Sequence, residues 1–245
     1  MNGAGNGQAG GDYGGDARFA RDPVMHADLF DPKSGNWRIL AKASVPRLYH
    51  STALLLETGE VVTAGSEFQN YVDTLDPARA QACFPERPVI CTNPFEYRLE
   101  VFTPPYLQTG RPRPVISEAP KLLTYKSVFK IMLGSSETIT KATFIRYGSS
   151  THQINTDQRL VELEILGQLR NELYLSAPPS GSIAPPGNWM LFVLRDGVPS
   201  IAKTINLQNG KETKVDVPAG AARPNHAESL NLFLAGAVLL FSFLL

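Results

Sequence analysis

The chain has 245 residues, and its 23 Lys plus Arg balance its 23 Asp plus Glu, so the net charge is zero. That balance removes the electrostatic basis for nucleic acid or an anionic surface as the main partner. Apolar residues make up 43%, with 20 Gly and 19 Pro, a composition that excludes a disordered chain and points to short strands and turns. Two cysteines exclude a disulfide-dense scaffold and a four-cysteine zinc site, and allow one bridge.

Residues 1–22 are Gly-rich and polar, with no charged start and no apolar run of signal-peptide length. From Met25 the pattern becomes short apolar runs bounded by turn residues. HADLFDP leads through KSGN to WRIL, and LYHSTALLL leads through ETGE to VVTAG. Thr58-Gly59 between two such runs predicts a hairpin. An irregular stretch, 67–96, holds Cys83 and Cys91. YRLEVF (97–102) predicts a strand. TPPYLQTGRPRP (103–114), with four prolines in twelve residues, reads as a linker at a domain boundary. Beyond it SVFKIML, TKATFIRY, LVELEIL, ELYLSA, NWMLFVL and SIAKTINL recur at the spacing of a β-sandwich of about a hundred residues. Asp196-Gly197 predicts the closing hairpin. Trp189 and Phe192 read as core.

The two ends conflict. Leu230–Leu245 carries only Asn231 and Ser242 as polar side chains. As a helix it would span roughly 24 Å, short of a bilayer core of roughly 30 Å. Small residues Ala219, Gly220, Ala221 and Ala222, then a polar spacer, then this tail match a GPI-attachment signal. A short tail anchor and a buried helix are the alternatives. Such a signal works only in the secretory pathway, and no entry signal is visible. The expectation is that residues precede Met1 in the parent protein. The first part, read as four-stranded units, supports the same expectation, because one or two units cannot close a propeller and leave raw strand edges.

There are four histidines. His226 lies in the tail spacer, and His26 reads as a surface residue before a strand. His50 follows Tyr49 in Pro46-Arg47-Leu48-Tyr49-His50-Ser51. His152 ends Ser149-Ser150-Thr151-His152, in a polar loop between two sandwich strands. Two histidines a hundred residues apart do not by themselves define a metal site. HExxH, CxxC, Walker A and GxSxG motifs are absent.

RLYHSTALLLETGEVVTAGS (47–66) resembles the blade of the galactose oxidase and glyoxal oxidase family that carries two copper ligands. NGAGNGQAG (2–10), DPVMHADLFDP (22–32), YRLEVFTPPYLQTGRPRP (97–114), THQINTDQR (151–159) and APPGNWMLFVLRDGVPSIA (184–202) resemble its glyoxal oxidase branch, in the expected order. The resemblance implies an all-β architecture: the last blades of a kelch-type seven-bladed propeller over 1–108, and an immunoglobulin-like early-set sandwich over 109–208. A polar linker (209–229) and the apolar tail (230–245) complete the expected organisation.

The resemblance also implies roles. Tyr49 matches the family's axial copper ligand and proton-abstracting base. His50 and His152 match two equatorial copper ligands. Imidazole suits copper, and a phenolate oxygen is a reasonable anionic partner. Adjacent residues in a regular strand face opposite ways, so Tyr49 and His50 share a metal only at a strand end or bulge. The family's remaining ligand, a tyrosine cross-linked to a cysteine that holds a radical, lies well upstream of the YH pair. Here no cysteine precedes Tyr49 and Tyr13 is too close to it, so the chain as written is expected to lack the radical cofactor and to be inactive alone. Asp157, Gln158 and Arg159 are expected to position His152. Cys83 and Cys91 do not fit the cofactor cysteine and are expected to pair with each other in a secretory setting.

The implied activity is oxidation of small aldehydes to carboxylic acids by oxygen, at the cell surface or wall, by a monomer attached to the membrane through a lipid anchor or tail. The alternative is a non-catalytic surface module that keeps the fold and binds glycans or proteins. An upstream Cys and Tyr pair separates the two.

Overall fold

The computed structural model describes residues 24–32, 34–47, 50–66, 96–152 and 154–223. Tyr49, Cys83, Cys91, His226, the glycine-rich start and the apolar tail lie outside the described residues. The described elements are β-strands and one 3-10 turn, Pro105–Leu107.

The first part holds two small antiparallel sheets. β1 (His26–Asp31) pairs with β2 (Asn36–Lys42). β3 (Thr52–Leu55), β4 (Val61–Ala64) and β5 (Glu100–Phe102) form a three-stranded sheet in that order. Ala27, Ala53, Val61 and Phe102 bury one apolar cluster between these sheets. The predicted hairpin at Thr58-Gly59 is present: Leu55 pairs with Val61, and Gly59 takes φ +82°, a conformation cheap only for glycine. The predicted strand over 97–102 shortens to β5. The Arg98 carbonyl accepts from the Arg47 guanidinium instead of a neighbouring strand, which ends the ladder there.

The second part is a sandwich. Its elements are β6 (Ile116–Glu118), β7 (Leu122–Thr124), β8 (Val128–Leu133), β9 (Lys141–Arg146), β10 (Ser150–Thr151), β11 (Ile154–Asn155), β12 (Leu160–Leu163), β13 (Ile165–Leu169), β14 (Glu172–Ser176), β15 (Gly187–Arg195), β16 (Val198–Pro199) and β17 (Lys203–Gln208). One sheet runs β12-β9-β15-β17-β7 with β16 beside β15, and the facing sheet runs β13-β14-β8-β6. Phe129, Ile131 and Leu133 alternate inward along β8, as a half-buried strand requires. They meet Phe144, Leu173, Leu175, Trp189, Leu191, Ile205 and Leu207 in one core. The Trp189 indole N–H donates to the Pro185 carbonyl at 3.0 Å, so its one polar atom is satisfied within the core.

β15 explains why NWMLFVL is apolar without alternation. Trp189, Leu191 and Val193 face the sandwich core. Met190 and Phe192 face the other way and pack with Ala202 and Leu55. A strand covered on both faces loses its polar positions. The closing turn is as predicted: Asp196 and Gly197 both take positive φ, +49° and +80°, between the paired Arg195 and Val198, the geometry of a type I′ hairpin. LVELEIL departs from the single strand expected. It splits into β12 and β13, which belong to opposite sheets, with Glu164 at the crossing and its carbonyl taken by the Ser176 amide.

The expected linker 209–229 is held against the sandwich as far as it is described. Val128 N–H donates to the Thr213 carbonyl, and Gln168 and Ala222 exchange two backbone bonds of 2.8 and 2.9 Å. A Cβ on Gly167 would lie 2.7 Å from the Ala221 methyl, so the small-residue run packs on the β13 edge. Ala219 and Gly220 are exposed.

Candidate metal centre

His50 sits in a turn two residues before β3, at φ +57°. The condition set by the sequence is therefore met on the His50 side: the histidine is at a strand end, out of the regular alternation. Two features shape this turn. Arg47 is buried, and its guanidinium donates to the Gly65 carbonyl at 2.8 Å and to the Arg98 carbonyl at 2.7 Å. Burial pulls the Arg47 pKa below its ordinary value, against the opposing pull of Glu100 and Glu96. Gly65, at φ +66°, brings its α-carbon so close that a Cβ would stand 2.9 Å from the His50 carbonyl oxygen. Gly65→Ala is expected to cost about 1–3 kcal/mol through positive φ and this clash, and to displace His50. Denaturant unfolding beside a metal titration checks both parts.

His152 occupies the tip of the β10–β11 hairpin, also in the left-handed region at φ +52°. Non-glycine residues at positive φ are uncommon, and such strain gathers at functional positions. Thr151 Oγ1 lies 2.9 Å from His152 Nδ1. With the proton on Nδ1 the ring donates to Thr151 and the lone pair resides on Nε2, the tautomer of a histidine that ligates through Nε2. Asn155 Oδ1 accepts from the Ser149 and Asp157 amides at 3.1 Å each, and Thr156 N–H donates to the Ser149 carbonyl at 2.8 Å. These bonds close the hairpin across its base.

The two histidines come from different parts of the chain, and β3 is where those parts meet. Both β10 and β11 lie against β3, and a Cβ on Gly148 would meet the Leu54 side chain at 2.5 Å. The turn of the β3–β4 hairpin docks on the outer face of the sandwich. Glu57 Oε1 accepts from both the Tyr147 and Thr204 hydroxyls. Ala202 N–H donates to the Glu57 carbonyl at 2.9 Å. Arg113 donates to the Thr58, Pro199 and Ser200 carbonyls at 2.7, 2.9 and 2.7 Å, and Tyr106 donates to the Gly59 carbonyl at 2.6 Å. Burial pushes the Tyr106 phenol up to about 12, so it remains a donor at any physiological pH.

The bond from Thr204, then that from Tyr147, hold Glu57 below its ordinary 4.5, with Lys203 nearby contributing in the same direction and partial burial opposing. A depressed carboxylate stabilises the fold above its unfolded value, and that contribution is lost as pH falls through the folded value. The difference in melting temperature between wild type and Glu57→Gln is therefore expected to shrink as pH falls from about 5 to about 3, measured by calorimetry across that range.

Of the residues singled out from sequence, His50 lies two residues before β3 and His152 lies on the hairpin packed against β3, while Tyr49 lies outside the described residues. Arg159 is anchored elsewhere: it donates to the Ser182 and Ile183 carbonyls at 3.1 and 2.8 Å. Asp157 contributes its backbone N–H to the Asn155 cap. Thr151, Asn155 and Thr156 hold the His152 hairpin, and the sequence reading passed over them, although a Thr beside His and an Asx cap are local signals. Among the described residues no three His, Cys, Asp or Glu side chains gather into a metal cluster. Imidazole nitrogens, which His50 and His152 both carry, are donors that suit copper.

Residues 113–207 match the galactose oxidase-like early-set domain, which defines the sandwich as a domain of that class. Aldehyde oxidase GLOX of Vitis pseudoreticulata is 32% identical over 202 residues, covering 77% of this chain and 36% of the relative. Galactose oxidase of Gibberella zeae is 32% identical over 190 residues, covering 76% and 25%. A solved fungal alcohol oxidase of the AA5 family, in complex with copper, superposes with a TM-score of 0.61 at 25% identity, covering 76% of this chain and 36% of that one. The sandwich belongs to the galactose oxidase-like early-set family, and the chain is similar over about three quarters of its length to these oxidases, of whose own length it spans about a third or less.

Proposed function

We propose that this chain supplies the copper-holding part of an oxidase that converts small aldehydes to carboxylic acids. One observation carries the reading: the hairpin that bears His152 packs against β3, the strand that His50 precedes by two residues, in a chain whose relatives are named oxidases. His50 and His152 would bind the metal through ring nitrogens, and Tyr49 would bind beside them. Bound copper would accept one electron and orient the substrate.

The chain's own residues carry the rest. The Tyr49 oxygen takes the proton lost from the substrate carbon. The Gly65 and Arg47 contacts fix the turn that presents His50, and the Thr151 contact fixes the His152 ring. The overall reaction balances as aldehyde hydrate plus O2 giving carboxylic acid plus H2O2. The second electron requires the cross-linked tyrosine, which no pair in this sequence matches. By this reading the 245-residue chain alone holds copper without turning over. The protein acts outside the cell as a monomer, attached to the surface by a lipid anchor in the region of Ala219, Gly220 and Ala221 or by the apolar C-terminal tail.

The test is oxygen uptake and peroxide release by the native, copper-loaded protein with small aldehydes. One peroxide formed per aldehyde consumed is expected. No consumption of any aldehyde, in protein whose intact mass carries the two-hydrogen deficit of a Cys–Tyr cross-link, contradicts the reading and leaves the binding module.

A further inference from the structure

We infer that Glu57, held by Tyr147 and Thr204, is a positioning residue that sets the spacing between the two histidine-bearing loops. The inference rests on the copper reading above for its consequence, and on the described geometry for its mechanism.

Glu57 stands at one end of a short rod. β3 begins two residues after His50 and ends at Leu55, two residues before Glu57. A strand is stiff at about 3.3 Å per residue, so fixing the Glu57 end fixes the His50 end. Tyr147 directly follows β9 and opens the segment Gly148–Ser149 that leads to β10 and His152. The same carboxylate oxygen that accepts from Tyr147 accepts from Thr204 on β17. Thr204 is paired with Met190 on β15, and Met190 is paired with Ile145 on β9. The end of β9 and β17, held on either side of β15 in one sheet, thus both meet the Glu57 side chain at the root of the His152 loop.

The surroundings make the contact rigid. Leu55, Ile145, Tyr147 and Leu194 pack around Met190, Phe192 and Ala202, so the two parts of the chain share an apolar layer beneath the carboxylate. The Ala202 amide fixes the Glu57 backbone. Arg113 ties Thr58 to the β16 side of the sandwich through the Pro199 and Ser200 carbonyls. Of these ties, the Glu57 carboxylate is the one that reaches the root of the His152 loop.

Three proteins test this: wild type, Glu57→Ala and Glu57→Gln, with Glu172→Gln as a control that breaks the Lys130 ion pair on the facing sheet. Cu(II) affinity is measured by calorimetric titration, and amide exchange is followed at Thr156, Ala202 and the core residue Leu191. Glu57→Ala is expected to bind Cu(II) about 10–100-fold more weakly, the range typical of lost outer support at a metal site. It should exchange faster at Thr156 and Ala202 while Leu191 stays protected. Glu57→Gln keeps an oxygen that accepts both hydroxyls and, although it gives up the charge-dependent part of its stability, is expected to stay near wild type in Cu(II) affinity and in exchange at Thr156 and Ala202, as is Glu172→Gln. Unchanged Thr156 exchange in Glu57→Ala overturns the inference, as does unchanged affinity in a chain that binds copper. If wild type binds no copper, the metal reading falls. Faster Thr156 and Ala202 exchange in Glu57→Ala then still upholds the positioning of the loop. Should Glu57→Ala fail to fold, Tyr147→Phe combined with Thr204→Val removes both hydroxyls with Glu57 in place, and the same readings decide.

Discussion

Substituting His50 and His152 together by asparagine is expected to abolish Cu(II) binding at the seam, as measured by equilibrium dialysis of the whole chain. Asparagine is the informative replacement because both positions hold positive φ, +57° and +52°. Asn tolerates the left-handed region far better than most residues, so the backbone is kept and only the imidazole is lost. By the proposed reading each single substitution removes a direct ligand. Its effect is expected to exceed the roughly 10–100-fold loss typical of an outer partner. Both histidines are exposed in the described structure, so neither change opens a core cavity, and the melting transition should move little. A construction in which only one histidine mattered would show a large loss for one variant and none for the other.

Trp189→Ala is expected to lower unfolding free energy by about 3–5 kcal/mol, the usual cost of deleting a buried aromatic. Trp189 is fully buried at the centre of the sandwich, with the Phe144 ring 6.0 Å away and the Arg146 guanidinium 5.4 Å above its own ring. Its loss empties the middle of β15, the strand that carries the sandwich core on one face and the seam on the other. Domain stabilities are commonly about 5–15 kcal/mol, so the variant should be close to unfolding under mild denaturant. Trp189→Phe keeps most of the volume and gives up the bond to Pro185, an expected loss nearer 1–3 kcal/mol. Urea midpoints for the three proteins check the order.

Much of the sandwich was legible from periodicity. SVFKIML, TKATFIRY, ELYLSA and NWMLFVL became β8, β9, β14 and β15, and Asp196-Gly197 became the closing turn. What periodicity could not tell was which face of β15 meets which neighbour, because a strand buried on both sides carries no alternation. It also missed the break in LVELEIL, since the run keeps its apolar rhythm while the chain changes sheets at Glu164. The short strands β6, β7, β10 and β11 give too few residues for any period to register. The C-terminal small-residue run reads as linker by composition, yet Ala221 fits against Gly167 because two small residues allow the backbones to approach.

The site was legible in a different way. His50 and His152 stand out through resemblance, and the requirement that the first lie at a strand end follows from strand geometry. The residues that join the His50 and His152 segments of the chain carry no motif. Glu57 meets Tyr147 and Thr204 across 90 and 147 positions of sequence. Such pairings are invisible until the fold is known, because each residue alone is ordinary for a turn or a strand. Arg47 shows the same limit. It sits inside the quoted RLYHS run, and its burial and its two carbonyl partners emerge only when β4 and β5 are in place.

The central claim is that one metal joins imidazoles from two domains. Pulsed electron paramagnetic resonance of the Cu(II)-loaded chain counts coordinated imidazoles through the modulation from their remote ring nitrogens. Two equivalent imidazoles, falling to one in His50→Asn and to one in His152→Asn, is the predicted result. One imidazole in wild type, or a signal that neither substitution alters, would contradict it.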